Sequence, residues 1–156
     1  MFERWLSGVV ERRDERPAYE SALACGDFAV GVPLLQVAVT AGDPQARMIY
    51  GTMLLLGHGV TQDTADGMAW IRQAALSGNL CGMMLLGGGL AAGLHVQRND
   101  EEACFWLWKA ASAGLIEAAD ALSDVVLRSP GVVGIHFSQD DFDALMRVMK
   151  PARKGH

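Results

Sequence analysis

Apolar and small residues return along this chain with a spacing of 36 positions. Three pairs mark the period: Ala41-Gly42, Ser77-Gly78 and Ala113-Gly114. The residues ahead of them fall into register, Leu34-Leu35 with Trp70-Ile71 and Trp106-Leu107, and Ala38-Val39 with Ala74-Ala75 and Ala110-Ala111. Those behind them do the same. Ala46 aligns with Gly82 and Ala118, Gly51 with Gly87 and Ser123, Gly57 with Gly93, and Val60 with Val96. A repeat of this length implies stacked supersecondary units, because one helix pair cannot bury its apolar face alone.

Each unit predicts two helices. The first runs from about Pro44 to Leu56, opened by Asp43 as N-cap with proline at the first helical position, and ended by Gly57. Gly57-His58-Gly59-Val60 reads as a turn. The second helix starts near Asp63 and runs to Ser77, with Gly78 where a left-handed residue is wanted. The copy beginning at Asn79 follows the same plan, and Asn99-Asp100-Glu101-Glu102 opens its second helix. Ala46, Gly51, Ala74 and Ala75 lie where helices must approach closely, and Trp70 and Trp106 are expected to fill the core between them. Before Gly42 only the second helix has a counterpart, and Pro33 inside it predicts a late start or a kink. Phe2, Trp5, Leu6, Val9 and Val10 fall at helical spacing and predict an amphipathic first helix. At the other end Ser138-Gln139-Asp140-Asp141 resembles a capping box, with Asp141 where glutamate is usual. Phe142, Leu145, Met146 and Met149 continue it at helical spacing, after a break over Ser129 to Gly134.

One run carries a specific resemblance. Ala46-Arg47-Met48-Ile49-Tyr50-Gly51, Leu54, Gly57-His58-Gly59-Val60, Asp63, Ala69-Trp70-Ile71, Ala74-Ala75 and Gly78 resemble the Sel1-like repeat, a relative of the tetratricopeptide repeat. The second copy departs from the pattern at His95, in place of the second turn glycine, and at Asn99, in place of the aspartate. The resemblance implies an all-α fold, a short right-handed α-solenoid of helix-turn-helix repeats with helical caps. On that expectation residues 1–156 form one domain: N-terminal cap helices at 1–25, a partial repeat at 26–42, full repeats at 43–78 and 79–114, a partial repeat at 115–128, and a C-terminal cap helix at 138–150.

Composition narrows the function. Apolar residues make up 51% of the chain and charged residues 20%, so a packed core is expected rather than a disordered chain. A net charge of −5 argues against nucleic acid as partner, since phosphate contacts need a basic face. Three cysteines without a CxxC pair suggest neither a disulfide framework nor a zinc site. Charges at Glu11 to Arg16 interrupt any signal-peptide core, and the stretch Leu80 to Leu94 is diluted by five glycines and too short to span a bilayer. A cytoplasmic protein without membrane attachment is the expectation.

Candidate chemistry is sparse. His58 and His95 occupy equivalent turns, yet no carboxylate recurs with them as a metal ligand set would require. Gly87-Gly88-Gly89 lacks the Lys-Ser or Lys-Thr of a phosphate loop and lies inside a helix pattern. Glu117, Asp120 and Asp124 fall on one helix, where a solvated face is the simpler reading than acid–base chemistry. No cofactor, metal or catalytic residue is assigned. In tetratricopeptide-like solenoids the first helices line the concave face, and here they carry apolar and methionine side chains suited to an irregular partner surface. Arg47, Ile49, Thr52, Met53, Met84, Leu85 and Gly88 are therefore the expected partner-binding residues. The resemblance implies a non-catalytic protein-binding module. Its most specific form is a cytosolic bacterial immunity protein that inhibits a secreted toxin with a basic domain, such as a nuclease. The alternatives are an intracellular adaptor in signalling or secretion and, last, a small hydrolase using His58 or His95.

Overall fold

A computed structural model describes residues 16–149. Within them eight α-helices follow one another and no strand forms. They are α1 (Ala18–Ala24), α2 (Phe28–Thr40), α3 (Pro44–Leu56), α4 (Thr64–Leu76), α5 (Leu80–Ala92), α6 (Asp100–Ser112), α7 (Ile116–Arg128) and α8 (Gln139–Met149), with a short 3-10 turn at Pro130–Val132. Each helix packs on the next, α3 on α4 and α5 on α6 most extensively. The expected amphipathic helix around Phe2, Trp5, Leu6, Val9 and Val10 lies outside the described residues.

Local chemistry sets the helix ends. The side chains of Asp27, Asp43, Asp63, Asn79 and Asn99 each accept a hydrogen bond from a backbone N–H in the first turn of α2, α3, α4, α5 and α6. Asparagine at position 99 thus does the capping that aspartate does at 63. Gly57 and Gly93 end α3 and α5 at φ 66° and 68°, a backbone region that a side chain makes costly. At Ser138 the box closes in both directions: the Asp141 backbone N–H donates to Ser138 Oγ at 3.1 Å, and Ser138 N–H and Oγ donate to Asp141 Oδ2 at 3.2 and 2.7 Å.

Two expectations about packing are corrected. α2 does not start late at Pro33; it begins at Phe28 and continues through the proline. Pro33 is exposed, while Gly31, Leu35 and Val39 form the buried side, so the missing N–H falls on the side away from the helix's neighbours among the described residues. The two equivalent tryptophans also differ. Trp106 is 4% exposed, its ring enclosed and its indole N–H donating to Glu102 Oε1 at 3.3 Å. Trp70 is only half-buried, with its ring edge-on to Tyr50 at 6.1 Å.

The core follows the repeat. A smaller cluster of Tyr19, Leu35, Val39, Ala46 and Met53 joins α1 to α3, and Tyr19 donates its hydroxyl to Asp43 Oδ2 at 3.0 Å. A larger one, including Ile71, Leu86, Leu107, Leu122 and Val125, runs from α4 to the C-terminal end. There Phe137 stacks on Trp108 at 4.2 Å. Small residues allow close crossings: a Cβ placed on Gly51 would stand 2.7 Å from the Gly67 carbonyl oxygen.

Candidate partner-binding groove

The first helices of successive units, α3, α5 and α7, border a common concavity. Asn79 Nδ2 at the start of α5 donates to Gln45 Oε1 of α3 at 2.9 Å, tying two units together. Between the helices lies a groove of about 440 Å³. Its floor and walls include Thr52, Leu55 and Leu56 from α3, Met84, Leu85, Gly88 and Gly89 from α5, and Glu117 and Ala121 from α7. Leu94 and His95 close one end from the turn after α5. A second hollow of about 200 Å³, lined by Met48, Ile49, Thr52, Met53, Leu56 and His58, shares Thr52 and Leu56 with the first.

The groove exists because α5 presents glycines there. A Cβ on Gly88 would meet nothing within 4 Å, and one on Gly89 would stand 3.3 Å from Met68 Cε and 3.4 Å from the Leu94 carbonyl oxygen. Two large side chains on the rim remain open to water, Leu56 at 70% exposed and Leu94 at 58%. Apolar surface of this kind is costly to leave wet and marks a surface able to receive a partner.

Of the residues expected from the sequence, Thr52, Met84, Leu85 and Gly88 line the larger hollow, and Ile49, Thr52 and Met53 the smaller. Ile49 and Leu85 are both half-buried, each resting on a core cluster while facing a hollow. Met53 is 7% exposed and contributes mainly to the core beneath. Arg47 lines neither hollow; its guanidinium donates to the Val39 carbonyl at 3.5 Å and to Ser77 Oγ at 3.4 Å, joining second helices. Leu55, Leu56, Leu94, Glu117 and Ala121 line the larger hollow as well, although none of them was expected in the partner-binding set. The signal for the last two was present, because Glu117 and Ala121 stand in register with Cys81 and Leu85, one unit further along.

One backbone feature sits at this rim. His95 has φ 63°, the left-handed value that Gly59 holds at 72° in the preceding copy. It is the one non-glycine with positive φ among the described residues. In the first copy a Cβ is barred, since one on Gly59 would stand 2.5 Å from Phe28 Cδ1. By register Thr64 is the counterpart of Phe28 in the second copy, a smaller side chain than the ring that crowds Gly59.

Among the described residues no group of three or more His, Cys, Asp or Glu stands close enough to hold a metal ion. Burial, with a smaller contribution from Asp100, pushes the Cys104 thiol up to about 11, so it stays protonated and unreactive near neutral pH. Cys25 and Cys81 are exposed and free. No helix among the described residues is long and apolar enough to cross a membrane.

The Sel1 repeat family matches residues 44–79 and 81–115. A Sel1 repeat protein from Oxalobacter formigenes superposes with a TM-score of 0.63 at 23% identity, over 74% of this chain and 84% of that one. A protective antigen of uropathogenic Escherichia coli with an SLR fold superposes with a TM-score of 0.65 at 25% identity, over 77% of this chain. The chain spans only 25% of that antigen's length. No curated protein shows a significant sequence match. The chain thus carries two Sel1 repeats at its centre and has the fold of known Sel1-repeat structures, and Sel1 repeat proteins are modules for binding other proteins.

Proposed function

We propose that this protein binds a partner protein through the groove bordered by α3, α5 and α7, and that it acts by occupying that partner rather than by catalysis. The observation that carries the reading is a continuous apolar hollow whose rim leaves Leu56 and Leu94 exposed. A partner side chain entering it would bury both surfaces, and central apolar anchors of this kind dominate interface energies. Strain at the rim points the same way. His95 keeps a side chain in the groove wall at a backbone position where glycine is cheaper.

The finer reading is neutralisation of a secreted toxin in the cytoplasm, with a net charge of −5 suiting a basic toxin domain. An adaptor that joins signalling or secretion components would use the same groove, so the partner's identity separates the two. A nuclease toxin bound here would lose activity at a matching concentration of this protein.

The groove is tested by filling it. Gly88→Leu puts a side chain into open space on α5 and replaces glycine within a helix, so folding is kept or improved. Binding of the partner should fall by more than about tenfold, or 1.4 kcal/mol, measured by calorimetry with the thermal midpoint as control. Undiminished affinity in the folded variant places the interface elsewhere.

A further inference from the structure

We infer that two copies of this chain associate through the outer face of α2, in an antiparallel two-fold pairing that sets Val30 of each copy against Val37 of the other. The face lies apart from the groove, since no residue of α2 lines either of its hollows. The association leaves both grooves open, and it does not rest on what they bind.

The repeat register singles this face out. Positions 30, 66 and 102 are equivalent, and they read Val30, Asp66 and Glu102. Positions 37, 73 and 109 read Val37, Gln73 and Lys109. The two full units thus place polar or charged side chains where α2 places valine. Val30 is 50% exposed and Val37 69%, and Leu34 between them is open as well. Spaced at i, i+4 and i+7, the three form one stripe along the helix. α2 carries no charged residue on any side. Its two polar side chains are engaged within the chain: Thr40 Oγ1 donates to the Gln36 carbonyl at 2.8 Å, and Gln36 Nε2 to the Tyr50 hydroxyl at 3.4 Å.

Neither folding nor solubility accounts for the stripe. Leu35 and Val39 already supply the buried side of α2, and valine is a weaker helix former than the glutamine and lysine at the equivalent sites. A second copy fits the face in charge, shape and spacing. Each chain carries −5, so two copies repel, and they do so least where the contact opposes no charge. An uncharged face also gives a foreign partner nothing to read by charge. A two-fold interface needs projection and hollow on one surface, because the same patch meets itself. Beside the projecting Leu34 lies a hollow of about 540 Å³ lined by Pro33, Gln36, Val37, Thr40 and Ala41. Val30 and Val37 stand symmetrically about Pro33 and Leu34. Antiparallel helices therefore bring each valine to its opposite number and Leu34 to the hollow beside Pro33 of the other copy. α2 is 13 residues long, about 20 Å at the helical rise. One such face is smaller than the roughly 800 Å² per partner of a standard interface. The pair is therefore reversible, with micromolar or weaker dissociation.

The test is sedimentation velocity on the full chain from about 1 µM to about 1 mM. The weight-average mass should climb from that of one chain towards that of two. Val30→Glu and Val37→Lys follow the equivalent residues Glu102 and Lys109, so each variant should keep the thermal midpoint of the dilute chain. Each should raise the dissociation constant by at least about tenfold. Mixing the two variants should recover association, because the two-fold pairing sets the new carboxylate of one copy against the new ammonium of the other. A wild-type chain that stays monomeric throughout overturns the inference. So does unchanged self-association in both variants, which would place the contact on another surface. A lowered midpoint in dilute Val37→Lys would show that the face is covered within one chain, and would overturn it too. Loss of association in both variants without recovery on mixing would overturn the antiparallel pairing.

Discussion

At the residue scale, His95 and the two repeat tryptophans show how equivalent positions diverge. A left-handed backbone favours glycine, and His95 sits there at φ 63° where the preceding copy has Gly59, whose added Cβ would meet Phe28. His95→Gly should raise stability by about 0.5–1 kcal/mol, read from the midpoint of chemical denaturation, while removing one wall of the groove. A loss of stability would mean that the imidazole packs more than it strains. Trp106 is enclosed on all sides and Trp70 is not. Trp106→Ala should therefore cost about 3–5 kcal/mol, and Trp70→Ala clearly less, in the same denaturation series. Equal losses would show that Trp70 is as enclosed as its counterpart.

At the element scale, the spacing between helices is set by glycines whose roles differ within one repeat. Gly51 on α3 and Gly67 on α4 each leave room for the other's carbonyl, with a Cβ on Gly51 only 2.7 Å from Gly67 O and 2.8 Å from Ile71 Cγ1. No side chain can yield there without moving backbone. Gly51→Ala should destabilise by about 1–3 kcal/mol. Gly88→Ala, on the next first helix but facing open space, should stabilise by up to about 1 kcal/mol. Thermal midpoints of the two variants should thus move in opposite directions. Movement in the same direction would show that helix propensity, not the crossing of α3 on α4, governs both sites.

At the scale of the whole molecule, one carboxylate ties the second full repeat to the C-terminal end of the next helix. Asp100 opens α6 and accepts from Arg98 at 2.8 Å, from Arg128 at 2.9 Å and from the Ser129 hydroxyl at 2.6 Å. The hydrogen bonds from Arg98, then those from Ser129 and Arg128, hold its carboxyl well below the usual carboxylate range, against the opposing effect of burial. A depressed folded value means that the contribution is fully present above the unfolded pKa of about 3.9 and is lost as pH falls through the folded value. Asp100→Asn should lower stability at pH 7 by about 1–2 kcal/mol. Its thermal midpoint should also decline less steeply than the wild type's as pH drops below about 4. Parallel decline in both proteins would assign the acid sensitivity to other carboxylates.

The sequence by itself determined the elements and their order. The 36-residue register and the caps at Asp43, Asp63, Asn79 and Asn99 act within one or two turns of chain, so helix ends at Leu56 and near Ser77 were legible before any packing was known. The capping box at Ser138 was legible for the same reason. Tertiary structure decided what happens between units. Pro33 is tolerated on the exposed side of α2, away from its neighbours among the described residues. Trp70 and Trp106 part company in burial, Trp70 half-buried against Tyr50 and Trp106 only 4% exposed within the larger cluster. Arg47 shares a helix with groove residues but spans to Val39 and Ser77 instead. Ile49 and Leu85 are neither core nor free surface, since each helix face is divided between a neighbour below and a hollow above. Periodicity reports which residues share a helical face; how much of that face the next helix covers depends on axis separations set by side chains far away in sequence.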